Sequence, residues 1–237
     1  MTWATMENES AKLVRKIVPD LANVPLYVVS ANKLSEEAKV GGLTAMNLDL
    51  AVRPYVQWQG RGVAIVYKML AATILSAKYD ITEQDALQSI VLHEVAHAIE
   101  GAFFEHRQEE DKALADEAAE AARCILAQGI DILPPDWHVA NYLVSHGVRF
   151  LRVLAHLRYR AQAVGVECCL DQLYQYEVRG LAVDLYASAF RNECGELRRC
   201  RFATILAEPL PQSAMELWQR DSALIFESFR AERDRAA

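Results

Sequence analysis

The stretch TEQDALQSIVLHEVAHAIEG, residues 82–101, decides how the rest of the chain is read. Thr82 followed three residues later by Asp85 is a helix-start signature, because a hydroxyl there can accept a backbone N–H of the first turn. Behind it Leu87, Val91, Val95 and Ala98 recur at helical spacing. Gly101 is the expected stop, since glycine takes the left-handed cap conformation at little cost. Two histidines and a glutamate sit in the middle of this apolar run, where side chains of that kind are costly to bury without a partner.

Residues 93–97 spell HEVAH, the H-E-x-x-H pattern. Positions i and i+4 of a helix project from one face, so His93 and His97 can each place a ring nitrogen about 2.0–2.1 Å from one zinc ion. Glu94 falls beside that ion instead of onto it. There it is expected to act as general base on a zinc-activated water, whose pKa the metal lowers from about 15.7 towards 7, and to pass the proton to a leaving amine. The expected cofactor is therefore Zn2+, and the expected activity is hydrolysis of peptide bonds in a peptide or protein substrate.

A catalytic zinc needs a third protein ligand and an open position. The metzincin arrangement requires Gly at 100 and His at 103, and Glu100 and Phe103 stand there instead. In SHGVRFLRVLAHL, residues 145–157, a His-Gly pair opens an apolar helix with Phe150 four residues after His146. With HEVAH, this resembles the His-Gly-x-x-Phe/Trp segment of SprT-like (Spartan-class) metallopeptidases, and the resemblance implies that His146 is the third ligand. The interval from His97 to His146 is longer than is usual in that family, and no zinc-ribbon cysteine pattern follows. The alternative is Glu117, twenty residues after His97 in ADEAAEAARCIL. That spacing resembles thermolysin-type gluzincins and ImmA-type peptidases, although Ala121 stands where the gluzincin helix carries an aspartate. His146 is preferred over Glu117, with Glu100, His106 and His138 behind them. His156 lies about 15 Å along the same helix from His146 and cannot share its ion.

Working outward, PLYVVS (25–30) and GVAIVYK (62–68) are β-rich runs bounded by Pro or Gly, and MNLDLAV (46–52) alternates apolar with more polar residues. KALADEAAEAARCILAQG (112–129) reads as a helix, LPPDW ends it, and a further helix should start within 137–147. The expected fold is α+β and zincin-like, as the resemblance implies: a small N-terminal antiparallel or mixed sheet, then a mainly helical region carrying the HExxH helix. Residues 1–160 would form the metallopeptidase domain and 161–237 a helical C-terminal extension packed on it.

Composition bounds the rest. With 237 residues, 52% of them hydrophobic, the chain can bury a sizeable core. No run approaches the roughly 18 apolar residues of a membrane span, and the first residues lack the apolar core of a signal peptide, so a cytoplasmic, non-membrane protein is expected. Five cysteines, two of them adjacent at 168 and 169, form no disulfide framework. A net charge of −7 disfavours a protein that coats nucleic acid. Only the stripe Arg149, Arg152, His156 and Arg160 and the cluster Arg198, Arg199 and Arg201 keep nucleic acid open as a partner, and the stripe reads first as a solvated face. Two rival readings remain: a regulatory or structural zincin-like module that binds zinc and a protein partner without turnover, and a metal-free helical scaffold. An intact Glu94 favours the enzyme, because a purely structural site needs ligands but no base.

Overall fold

A computed structural model describes residues 2–30, 43–46, 63–102, 147–168 and 183–220. Helix α1 (Trp3–Ile17) starts at Thr2, whose hydroxyl accepts the Thr5 N–H, and carries Arg15 and Lys16 in its last turn, where cations suit the helix dipole. It buries Met6, Ser10, Leu13, Val14 and Ile17 along one side. The chain leaves it at Val18, which is extended because Pro19 follows.

Strands β1 (Leu26–Ser30), β2 (Leu43–Met46) and β3 (Val63–Tyr67) form a mixed sheet in the order β1-β3-β2. β1 runs parallel to β3, with Leu26 opposite Val63 and Ser30 opposite Tyr67. β2 runs antiparallel, with Leu43 opposite Val66 and Met46 opposite Val63. Val63, Ile65 and Tyr67 of the central strand are all buried. Glu7 of α1 fastens helix to sheet: one carboxylate oxygen accepts the Tyr67 hydroxyl at 3.0 Å and the Ser30 backbone N–H at 3.2 Å. Burial first, and the Glu7 charge second, push the Tyr67 phenol well above its ordinary range. It therefore stays protonated and donates.

Helix α2 (Met69–Tyr79) ends at Asp80, whose positive φ of 52° gives the left-handed turn that a short polar side chain tolerates. Helix α3 (Glu83–Ala102) follows and is the centre of the molecule. Ala86, Leu87, Ile90, Val91, Leu92, Val95, Ala96, Ala98 and Ile99 point around most of its circumference, and all are buried. A helix apolar on nearly every side needs cover on every side. α1, α2, β2, β3 and helix α4 (Val148–Gln162) supply it. The expected stop at Gly101 is not where the helix ends, because it is helical through Ala102. One glycine costs only about 1 kcal/mol in a helix.

α4 begins after Gly147, its N-cap, and buries Phe150, Leu151, Val153, Leu154 and Leu157. Helices α5 (Val183–Ala189), α6 (Arg191–Glu196) and α7 (Phe202–Ala207) follow, with a further helix over 212–220. α5 and α6 lie against α4. The architecture is α+β and mainly helical. The expected division after residue 160 falls within the last turn of α4, and a single cluster of buried residues runs from Met6 to Ala214. No helix among the described residues is long and apolar enough to cross a membrane.

Candidate metal centre

The N-terminus of α3 fixes the rotation of everything downstream. Thr82 Oγ1 accepts the Asp85 backbone N–H at 3.1 Å and donates to Asp85 Oδ2 at 2.6 Å. Asp85 therefore engages the Thr82 hydroxyl, not its backbone N–H as in a full capping box. About three and four turns beyond Thr82, His93 and His97 project from one side of the helix, both half-buried. Their ring centres are 4.9 Å apart, edge to face at 79°. Two imidazoles bound to one ion through nitrogens at about 2.0–2.1 Å in a tetrahedral arrangement have ring centres about 5 Å apart. The pair fits a shared zinc in both donor type and separation.

Glu94 is one residue, about 100°, around the helix from His93 and is only 6% exposed. Its side chain is thus withdrawn from bulk water. Glu100 is half-buried one turn beyond His97. Among the described residues no three His, Cys, Asp or Glu side chains converge as a ligand set. The expected third ligands, His146 and its alternative Glu117, lie outside the described residues, as do His106 and His138.

The basic stripe expected on α4 is not a solvated face, nor is it a surface for phosphates. Arg152 is 1% exposed, His156 0% and Arg160 5%, while Arg149 is half-buried. The side of α4 away from α3 is covered by the C-terminal helices and by α1, and most of its polar groups find partners there, although Arg160 Nε and His156 Nδ1 are buried without a hydrogen bond among the described residues. Arg152 makes a two-pronged pair with Glu193, Nε to Oε1 at 2.9 Å and Nη2 to Oε2 at 2.8 Å, and donates to the carbonyls of Glu208 and Pro209. His156 Nε2 meets Glu193 Oε1 at 2.7 Å, so with Glu193 ionised that nitrogen carries the proton. Arg160 donates to the carbonyls of Ile17, Leu197 and Cys200 and lies 4.5 Å over the Phe202 ring. Burial lowers the pKa of His156 below its ordinary value, outweighing the pull of Glu193. Glu193 itself is desolvated, yet hydrogen bonds from His156 and Arg152 hold its carboxyl below the usual carboxylate range. Arg198, Arg199 and Arg201 are exposed.

Sequence reasoning placed Phe150 in the motif but not in the site. Its buried ring touches both motif imidazoles, 5.0 Å from His93 and 4.3 Å from His97. The signal was its position on the apolar side of α4, which gives the face but not the helix opposite. Comparison with protein families, with curated proteins and with solved structures finds no match for this chain. The chemical reading therefore rests on the residues themselves: two neighbouring imidazoles on one side of α3, and the buried Glu94 at the next helix position after His93.

Proposed function

We propose that this chain is a zinc-dependent metallopeptidase with a zincin-like fold, similar to the SprT-like class, acting on peptide or protein substrates in the cytoplasm. The observation that carries the reading is the geometry of His93 and His97, whose ring centres are 4.9 Å apart on a buried helix, with Glu94 buried at the position after His93. His93 and His97 would hold the ion, with His146 as third ligand and Glu117 as its alternative. When bound, zinc supplies a Lewis acid that polarises a scissile carbonyl and makes water acidic enough to attack at neutral pH. Glu94 takes the proton from the attacking water and delivers it to the leaving nitrogen, a transfer its place on the adjacent helix position allows. The apolar wall of α3 around Glu94 excludes bulk water, so the carboxylate is not swamped by solvent.

Three substitutions test this. His93→Ala and His97→Ala each lose the roughly one equivalent of zinc expected per chain by elemental analysis. Glu94→Gln keeps zinc and loses peptide hydrolysis by at least about 100-fold. Full zinc content in both histidine variants refutes the site. Zinc binding with no turnover of any peptide by the wild type supports the regulatory module in its place. His146→Ala compared with Glu117→Ala then assigns the third ligand, which X-ray absorption reads as three nitrogens or as two nitrogens and a carboxylate.

A further inference from the structure

Phe150 stands on α4, but its ring is in contact with the chemistry of α3. It lies 4.3 Å from His97 at an interplanar angle of 33° and 5.0 Å from His93 at 67°, while the two imidazoles are 4.9 Å apart. The three rings close a triangle, and Phe150 is fully buried at its inner corner. A histidine ring turns about χ2 over a broad, roughly two-fold profile, and each ring has two nitrogens. An unbraced pair therefore samples many arrangements, few of which aim one nitrogen from each ring at a common point. A phenyl wedge against both rings removes the unproductive ones before a ligand arrives, and ordering made in advance is returned as affinity. The phenyl ring also offers no hydrogen-bond donor or acceptor to compete for the nitrogens.

We propose that Phe150 is the positioning residue of this centre, setting the ring orientations of His93 and His97 so that zinc affinity depends on an aromatic ring at position 150. The proposal rests on the zinc reading above, and its test separates the two. The full chain is compared as wild type, Phe150→Leu, Phe150→Tyr and Phe202→Leu. The last makes the same deletion at another fully buried ring, one that faces Arg160 and His156 instead of the motif histidines.

Zinc affinity is measured by competition with a chromophoric chelator, coordination geometry by the visible absorption of the cobalt(II)-loaded protein, and folding by thermal melting. Phe150→Leu should bind zinc about 10- to 100-fold more weakly and shift the cobalt spectrum. Phe150→Tyr should restore both, and Phe202→Leu should lose thermal stability while keeping wild-type affinity and spectrum. Should Phe150→Leu not fold, Phe150→Met, which keeps the volume without the ring, carries the same expectation. Wild-type affinity and spectrum in the leucine or methionine variant overturn the positioning role and leave the zinc reading standing. Equal weakening in Phe202→Leu overturns it too, because the loss then reports general destabilisation. Failure of the wild type to bind zinc overturns both.

Discussion

Removing Glu193 should be one of the most damaging single changes available in this molecule, although it lies on the far side of α4 from the motif histidines. Its carboxylate is 13% exposed and takes three hydrogen bonds, two from Arg152 and one from His156. Both partners are essentially inaccessible to water. In Glu193→Ala the Arg152 guanidinium keeps only the carbonyls of Glu208 and Pro209, and its charge is left inside the protein with no counter-charge among these contacts. Deleting one partner of a buried ion pair costs about 3–5 kcal/mol, a large part of the roughly 5–15 kcal/mol that stabilises a typical domain. Urea unfolding at pH 7.5, followed by circular dichroism, measures it. A loss under about 1 kcal/mol would refute the claim that this pair is desolvated.

The same cluster sets an acid limit. Glu193 has a folded-state pKa below its ordinary value of 4.5, so its contribution is present above that value and is lost as pH falls through the folded one. His156 is held neutral, with a folded-state pKa below its ordinary 6.5. Its unfolded form gains a proton first, so stability falls as pH drops below 6.5 and continues to fall until the folded form is protonated as well. Both terms act in one direction. Wild-type stability should decline steadily from about pH 6.5 downward, and Glu193→Gln should flatten the part of that decline below about pH 4.5. In that variant the amide can donate to Nε2 once the imidazole proton moves to Nδ1, so the glutamine should cost less than the alanine.

Two further outcomes follow from local geometry. Thr82→Ala removes the acceptor for the Asp85 N–H at the start of α3 and should cost about 0.5–2 kcal/mol in urea unfolding without changing zinc content, because the cap lies almost three turns from His93. Cys194 is buried, and that burial, with Glu193 adjacent, pushes its thiol up to about 12. It should resist iodoacetamide at pH 8 in the folded protein and react on unfolding, as read by peptide mass spectrometry; rapid native labelling would contradict that environment.

What the sequence revealed and what it concealed divide by distance along the chain. α3 was legible because its cap, its apolar repeat and HEVAH all lie within twenty residues and agree with one another. The β-branched runs at β1 and β3 were legible too, but not their parallel pairing, which depends on the path of the chain between them. β2 lies at Leu43–Met46, at the edge of the alternation read over 46–52. α1 was missed because two of its inward positions are Ser10 and Ala11, and the Ser10 hydroxyl satisfies itself on the Met6 carbonyl, so a buried face did not look apolar. α2 was missed for the opposite reason: MLAATILSA is apolar or small almost throughout, and a helix with no polar contrast has no visible period.

α4 shows why the remainder could not be read locally. At 100° per residue, Phe150, Leu154 and Leu157 fall on one side, and Arg152, His156 and Arg160 fall roughly opposite. The first side was correctly expected to be buried. The second was read as solvated because three cationic or ionisable groups in a row are usually hydrated, and a helix viewed alone has no reason to be covered twice. The missing information is Glu193, 41 residues beyond Arg152, together with backbone carbonyls that no side-chain pattern encodes. Phe150 has the same character, since the imidazoles it touches are more than fifty residues earlier. α4 is thus a spline with two faces, one wedged against the motif histidines and the other tied by ions to the C-terminal helices. Changes on the second face, at Glu193 or at Phe202, should therefore lower stability without redirecting His93 and His97, whose rings meet Phe150 on the first.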